Sequence, residues 1–316
     1  MELQVIPVTD RDARLRERTK DVTSTEVSAL YGLSPYTTMF ELYHHKKDQT
    51  VVSIEPNERM KWGNRLEAAI AHGAAEDMGW DIEPMNVYIR DASARMGSSF
   101  DFKINSSANG PGILEVKNVD WLQYRDKWID DGAGNIEAPE HIELQVQHQM
   151  EVTGISWAAI VVLVGGNEQK IVLRNRDQKI GKDIRAKIAE FWESIDAGRA
   201  PQPDYVADAK FIIKQLANYA DANLVAQSDA ALDELIEQYD YLTRSIKEQE
   251  GLQQATKAQI LQRIGTASKV LSPLGSLSCG SVKGRSGTLI TQDMVGTTIG
   301  ATEGYRNFRF YPKKEK

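Results

Sequence analysis

Gly97 to Lys117 reads GSSFDFKINSSANGPGILEVK, and this stretch decides the fold. It places Asp101 between Phe100 and Phe102, runs on through a polar segment rich in Ser, Asn and Gly, and closes on Ile-Leu-Glu-Val-Lys, with Glu115 and Lys117. A turn over residues 105–112 folds the second half back on the first as a hairpin. Side chains alternate across a strand, so Glu115 and Lys117 share a face and Val116 points into the core. The hairpin sets Asp101, on the preceding strand, beside Glu115. Two carboxylates and a lysine then converge at one edge of a small sheet, the outline of a site for metal-ion chemistry.

The flanking segments read as the layers around that hairpin. Residues 58–78 predict a helix, with Met60, Gly63, Leu66, Ile70 and Ala74 at helical spacing, Asn64 and Glu67 on one face, and Gly79 as its stop. Trp62 is assigned to the core. Residues 82–90, 96–103 and 113–119 read as three successive strands, followed by a helix at 121–128 and a Gly-rich loop at 131–135. Pro139 opens a helix whose buried side is Ile142, Val146, Met150 and Val152. An apolar strand at 157–164 turns through Gly165-Gly166-Asn167 into its partner at 170–174, and residues 177–198 form an amphipathic helix. Nearer the N-terminus, Thr23-Ser24-Thr25-Glu26 reads as the capped start of a short helix that Gly32 closes. Ser34-Pro35 then reads as the opening of another. His148 reads as a surface or packing residue.

Pro201-Gln202-Pro203 marks a domain boundary. Beyond it Leu232, Leu235, Tyr239, Leu242 and Ile246 alternate three and four residues apart, an a/d seam taken up again at Ile260. Gly251 leaves a kink, a turn or an interior glycine open. The last segment is rich in Gly, Ser and Thr, with β-like fragments at 276–282 and 288–290 and a short basic aromatic strand at 305–311. The expected domains are residues 1–204, a helical arm at 205–268 and a basic β-rich tail at 269–316.

A chain of 316 residues is long enough to build its core without staples. Its single cysteine, Cys279, excludes an intramolecular disulfide and a cysteine-built metal cluster, and fits a reducing setting. The N-terminus lacks the apolar core of a signal peptide, and no run approaches the length of a membrane span. Net charge is −7, yet eight Lys/Arg stand against three Asp/Glu between Lys269 and Lys316, and another basic cluster lies at residues 11–20. Local basic patches on an acidic protein are compatible with nucleic acid.

The order helix, three-stranded meander, helix, strand, strand, with Asp and Glu-x-Lys on adjacent strands, resembles the PD-(D/E)xK nuclease superfamily. TSTEVSALYGLSPY at 23–36, MKWGNRLE at 60–67, Arg90-Asp91, the Gly97–Asp101 segment, LEVK at 114–117 and LQVQHQM at 144–150 follow the order and spacing of one branch. That branch is the YqaJ-type viral recombinase family, which includes the lambda-type alkaline exonucleases. The similarity spans roughly Arg18 to Pro203. It departs at the aspartate, where relatives carry a small residue before and Gly after, and this chain carries Phe100 and Phe102.

The resemblance implies an α/β, restriction-endonuclease-like core with a mixed central sheet flanked by helices, plus a C-terminal long-helix arm and a small β tail. It implies that Asp101, Glu115 and the backbone carbonyl of Val116 hold Mg²⁺, with Mn²⁺ as the alternative. Lys117 would orient or help deprotonate the attacking water, Glu67 would serve a second metal or its water, and Gln145 would line the site. Arg18 and Thr25 would grip a 5′-phosphate, and Asp91 would support the strand behind the site. The implied activity is exonucleolytic resection of double-stranded DNA ends from the 5′ side. The 3′ overhangs would pass to a single-strand annealing protein, and the enzyme would be a homo-oligomeric ring such as a trimer, of phage or prophage origin, in the cytoplasm of a bacterial host. A structure-selective endonuclease on the same core and a DNA-binding recombination scaffold are the alternatives.

Overall fold

The computed structural model describes residues 3–8, 11–52, 55–216 and 224–281. They belong to two compact units, Met1–Phe211 and Ile212–Lys316. The first unit begins with β1 (Leu3–Pro7), α1 (Arg11–Thr19) and the two-residue β2 (Val22–Thr23). A single 3-10 helix, Val27–Tyr31, stands where a short α-helix was expected, with Gly32 left-handed at its end. The next helix, α2 (Met39–Lys47), does not start at Ser34-Pro35. Ser34 Oγ instead accepts the N–H groups of Tyr36 and Thr37, a local turn that competes with helix. Thr38 caps α2 through the Glu41 N–H.

α3 (Glu58–Met78) has the predicted bounds, with Asn57 capping the Met60 N–H and Gly79 left-handed at the C-terminus. Only its C-terminal half lies on the sheet, burying Ile70, Ala71, Ala74 and Ala75. Trp62 is therefore not core. It is 52% exposed, with the Arg65 guanidinium 5.0 Å from its ring centre.

Two of the three expected strands are each divided. Residues 82–90 become β3 (Asp81–Pro84) and β4 (Val87–Asp91), residues 96–103 become β5 (Met96–Ser99) and β6 (Phe102–Ser106), and β7 (Gly112–Val119) stays whole. Then come α4 (Trp121–Lys127), the small hairpin β8 (Ile129–Asp130) and β9 (Ile136–Glu137), α5 (Glu140–Thr153), β10 (Trp157–Val164), β11 (Glu168–Asn175) and α6 (Gln178–Asp196). One sheet has the order β1-β4-β5-β2 and the other β11-β10-β7-β6-β3. In the second, β10 runs parallel to β7 and the remaining pairs are antiparallel. This is the expected α/β architecture, a mixed sheet flanked by helices.

Alternate residues of β7 and β10 feed two apolar clusters. Ile113, Ala158, Ile160 and Val162 pack with Val146, Met150, Ile184 and Ile188 of α5 and α6. Leu114, Ala159 and Val161 pack with Ile70, Ala71 and Ala74 of α3. Burial on both faces explains the unbroken apolar run of β10. Phe100 belongs to the first cluster and Phe102 to the second, so the chain crosses from one core to the other at Asp101. Two close approaches need glycine. A Cβ on Gly97 would lie 2.4 Å from the Tyr88 hydroxyl oxygen, and one on Gly112 would lie 2.5 Å from the Trp157 ring.

The first unit continues past Pro203. Asp208 is buried and accepts from the Thr38 hydroxyl and the Asp204 N–H, and Phe211, in α7 (Ala209–Leu216), meets Phe40 and His45 edge-on. In the second unit α8 (Ala230–Ile264) is one helix running through Gly251, with no turn there. Its seam residues Leu232, Leu235, Tyr239, Leu242, Ile246 and Ile260 are 38% to 61% exposed. A hairpin of β12 (Lys269–Ser272) and β13 (Gly275–Ser278) follows. The β-like fragment at 288–290 and the basic strand at 305–311 lie outside the described residues. Among the described residues no helix is long and apolar enough to cross a membrane.

Candidate active site

The site begins where β5 ends and β6 has not yet started. Asp101 is not on a strand but in this break, because Phe100 and Phe102 are drawn into different cores. β6 pairs with β7 only as far as Phe102↔Leu114, which leaves that side of β7 open beyond this point while β10 stays paired along its other side. The Val116 N–H donates to Asp101 Oδ2 instead, at 2.8 Å. A strand residue's N–H and C=O project to the same side, so the Val116 carbonyl opens toward the same gap.

Glu115, 3% exposed, faces α5. Gln145 Nε2 donates to its Oε1 at 2.6 Å, Gln149 Nε2 to its Oε2 at 2.8 Å, and Lys117 Nζ to Oε1. Lys117 also reaches Gln145 Oε1 at 3.3 Å. Gln149 was not singled out from the sequence, although its place one helical turn after Gln145 was the available signal. Gln147, between them, turns away and bonds the Asn175 carbonyl and the Asp177 N–H. Ser99 Oγ and Gln149 Oε1 are buried with no hydrogen-bond partner, as in sites that water or a ligand completes.

Burial, then the charge of Glu115, raises the Asp101 carboxyl well above the usual carboxylate range; Glu67 adds to the rise, against the pull of Lys117 and the Val116 N–H. Glu67, half-buried on α3, is thus within electrostatic reach of Asp101. Burial works to lower Lys117, but Glu115 and Asp101 outweigh it and hold the ammonium above its ordinary value. Among the described residues no three His, Cys, Asp or Glu side chains form a ready-made metal cage. The donors present are the Asp101 and Glu115 carboxylates and the Val116 carbonyl, with Glu67 nearby. All are hard oxygens, and a divalent cation relieves their mutual repulsion. The set fits an oxygen-preferring cation.

A second cluster surrounds the end of α1. Arg18 Nη2 donates to Thr25 Oγ1 at 2.8 Å and to Thr23 Oγ1 at 3.4 Å. Behind it Glu26 Oε2 accepts from the Thr23 N–H, the Thr23 hydroxyl and Lys46 Nζ, at 2.9, 2.8 and 2.8 Å. Lys46, only 5% exposed, also donates to the Arg18 carbonyl at 2.7 Å. Burial pushes the Glu26 carboxyl up, but Lys46 and Arg18 outweigh it and leave it below its ordinary value. Burial lowers Lys46. Nothing in the sequence around Lys46 marks it as a partner for Glu26. Asp21, in the same segment, is gripped by Arg90 through both oxygens and accepts from the Tyr88 hydroxyl.

Asp91, at the end of β4, is 1% exposed and held by Arg185 at 2.9 Å and by the Ser93 hydroxyl. His148 is wholly buried between Ser98 Oγ and the Val22 carbonyl.

Residues 15–156 match a sequence profile described as the YqaJ-like viral recombinase domain, a span that holds every candidate site residue named above. The chain is 29% identical over 244 residues to the uncharacterized protein YqaJ of Bacillus subtilis (strain 168), covering 75% of this chain and 73% of that one. The fold is similar to the crystal structure of an alkaline exonuclease, LHK-Exo, from Laribacter hongkongensis, with 17% identity, a TM-score of 0.46, and coverage of 66% of this chain and 100% of that one. It is also similar to a phage-related exonuclease from Haemophilus somnus 129PT, with 13% identity, a TM-score of 0.40, and coverage of 56% and 94%.

Proposed function

We propose, from the match of residues 15–156 to the YqaJ-like viral recombinase domain, that the chain is of that family and is a metal-dependent deoxyribonuclease acting on the ends of double-stranded DNA. One observation carries this reading: Asp101, Glu115 and Lys117 meet on the side of β7 where its pairing with β6 has ended, with the Val116 backbone turned to the same gap. The Arg18–Thr25 pair supplies a separate place for a terminal phosphate.

In this reading Asp101, Glu115 and the Val116 carbonyl hold Mg²⁺, or Mn²⁺ in its place, and Glu67 assists a second ion or its water. When bound, the cation offsets charge on the phosphate and acidifies water. Gln145 and Gln149 keep the Glu115 carboxylate fixed in orientation. Because Glu115 holds Lys117 charged, the role that suits it is to orient the attacking water and offset charge on the scissile phosphate; accepting a proton suits it less. Arg18 grips a 5′-phosphate through its planar fork and Thr25 adds a hydroxyl. The product is a 3′ single-stranded overhang, taken up by an annealing protein, and the working form is a homo-oligomer. We assign catalysis to residues 1–204, and to residues 205–268 and 269–316 the arm and basic tail that serve assembly or DNA.

Linear duplexes labelled separately at each 5′ and 3′ end, with Mg²⁺ or with EDTA, test this. The expected result is metal-dependent loss of 5′ label ahead of 3′ label, abolished by Lys117→Ala with end binding retained. Cutting of closed circular duplex would favour an endonuclease, and full activity of Lys117→Ala would overturn the mechanism.

A further inference from the structure

We propose that Tyr36 and His141 form an aromatic rest on which the nucleobase beside the scissile phosphate stacks, a role that builds on the nuclease reading above. His141 lies in the first turn of α5, four residues before Gln145, and so shares the helix face that carries Gln145 to Glu115 and Lys117. Its ring meets that of Tyr36 edge-on, with centroids 5.9 Å apart and planes at 83°. Both rings stand near Lys117: its charge is among those depressing His141, after burial, and Tyr36 is among the groups raising Lys117. The pair therefore stands at the α5 face that carries Gln145, within electrostatic reach of Lys117.

Tyr36 is 80% exposed, yet its backbone is fixed. Pro35 precedes it, and Ser34 Oγ accepts its N–H at 3.2 Å. Edge-to-face contact uses the rim of one ring and leaves π-face free for another partner. A tyrosine held in this way presents a flat apolar surface with few rotamers to lose on binding.

The chemistry that matches such a surface next to a phosphodiester site is a nucleobase. Every base has a π-face, so stacking on an aromatic ring holds DNA without reading sequence. The placement also makes sense along the chain. Residues 23–36 carry the phosphate-gripping Thr25 near one end and Tyr36 at the other, so one short segment addresses both the phosphate and the base of the strand end.

The test uses the full chain and duplexes carrying 2-aminopurine at the first, second or eighth nucleotide from a 5′-phosphorylated end. In EDTA, where no cutting intervenes, binding should quench the probe at the first or second position and leave the eighth unchanged. Tyr36→Phe should retain the quench and Tyr36→Ala should lose it. With Mg²⁺, the wild type should remove a base-bearing end about tenfold faster than an abasic one, and Tyr36→Ala should treat the two alike. His141→Ala should reduce both effects. Unchanged quench and base preference in Tyr36→Ala would overturn the proposal, as would loss of both in Tyr36→Phe, which would point to the hydroxyl. Tyr36-dependent quenching without cleavage under any divalent cation would refute the nuclease reading and leave the stacking intact. Cleavage without Tyr36-dependent quenching would refute the stacking alone.

Discussion

Replacing His148 by glutamine should flatten the acid side of the protein's stability profile. The ring is 0% exposed, with Nε2 3.2 Å from the Val22 carbonyl and Nδ1 3.0 Å from Ser98 Oγ. A carbonyl only accepts, so Nε2 carries the proton and the Ser98 hydroxyl donates to Nδ1. Both nitrogens are thus satisfied in the neutral ring, and burial lowers its pKa to about 4. An unfolded histidine titrates near about 6.5. Between these values the unfolded chain binds the extra proton and the folded one does not. Stability therefore falls as pH drops through this window, by about 1.4 kcal/mol per unit and roughly 3 kcal/mol in all. The assay is the urea midpoint of wild type and His148→Gln at steps from pH 7 to pH 4. The variant starts lower, by about 1–3 kcal/mol, for its altered buried bonds. Carboxylates titrate in both proteins and cancel in the difference, so the gap should close as the pH falls. Parallel losses in the two proteins would refute the assignment of the acid limb to His148.

Three further outcomes are expected. Phe102→Ala should cost about 3–5 kcal/mol in urea unfolding and reduce activity even at temperatures where the variant is fully folded, because it frees one side of Asp101; activity that follows the folded fraction alone would contradict this. Lys46→Met should destabilise by about 3 kcal/mol by stranding Glu26, and, like Arg18→Ala, should narrow the rate difference between 5′-phosphorylated and 5′-hydroxyl ends; equal losses on both ends would make Arg18 a structural residue. Binding of Mg²⁺ should release protons and tighten with rising pH, because Asp101 is held above the usual carboxylate range without a cation. Calorimetric heats that do not change between buffers of different ionisation enthalpy would count against Asp101 as a ligand.

The sequence displayed the hairpin and α3 clearly because local rules govern both. Alternation fixes the shared face of Glu115 and Lys117, and Asn57 and Gly79 bound α3 by their own side-chain and backbone preferences. What it hid is non-local. Residues 82–90 carry Pro84 and Asn86, and residues 96–103 carry Asp101, at the points where they divide, but nothing within them states that their two halves pair with different sheets. Phe100 and Phe102 read only as a departure from the relatives' pattern at Asp101, whereas they anchor it to two separate cores. Trp62 looked like core because its spacing is helical; periodicity does not say where the sheet beneath a helix ends. Lys46 and Gln149 acquire their roles only from Glu26 and Glu115, which are 20 and 34 residues away.

The crossing at Asp101 also works as an interlock on assembly. Glu115 and Lys117 lie on one strand and come into being together, but Asp101 reaches them only when Phe100 and Phe102 have both been gripped, one on each side of the sheet. A chain with one core formed and the other still open would hold only half of the candidate site. Under the nuclease reading proposed above, hydrolytic competence would then be a readout of finished folding, and a nascent or partly melted molecule would be disarmed before it could cut.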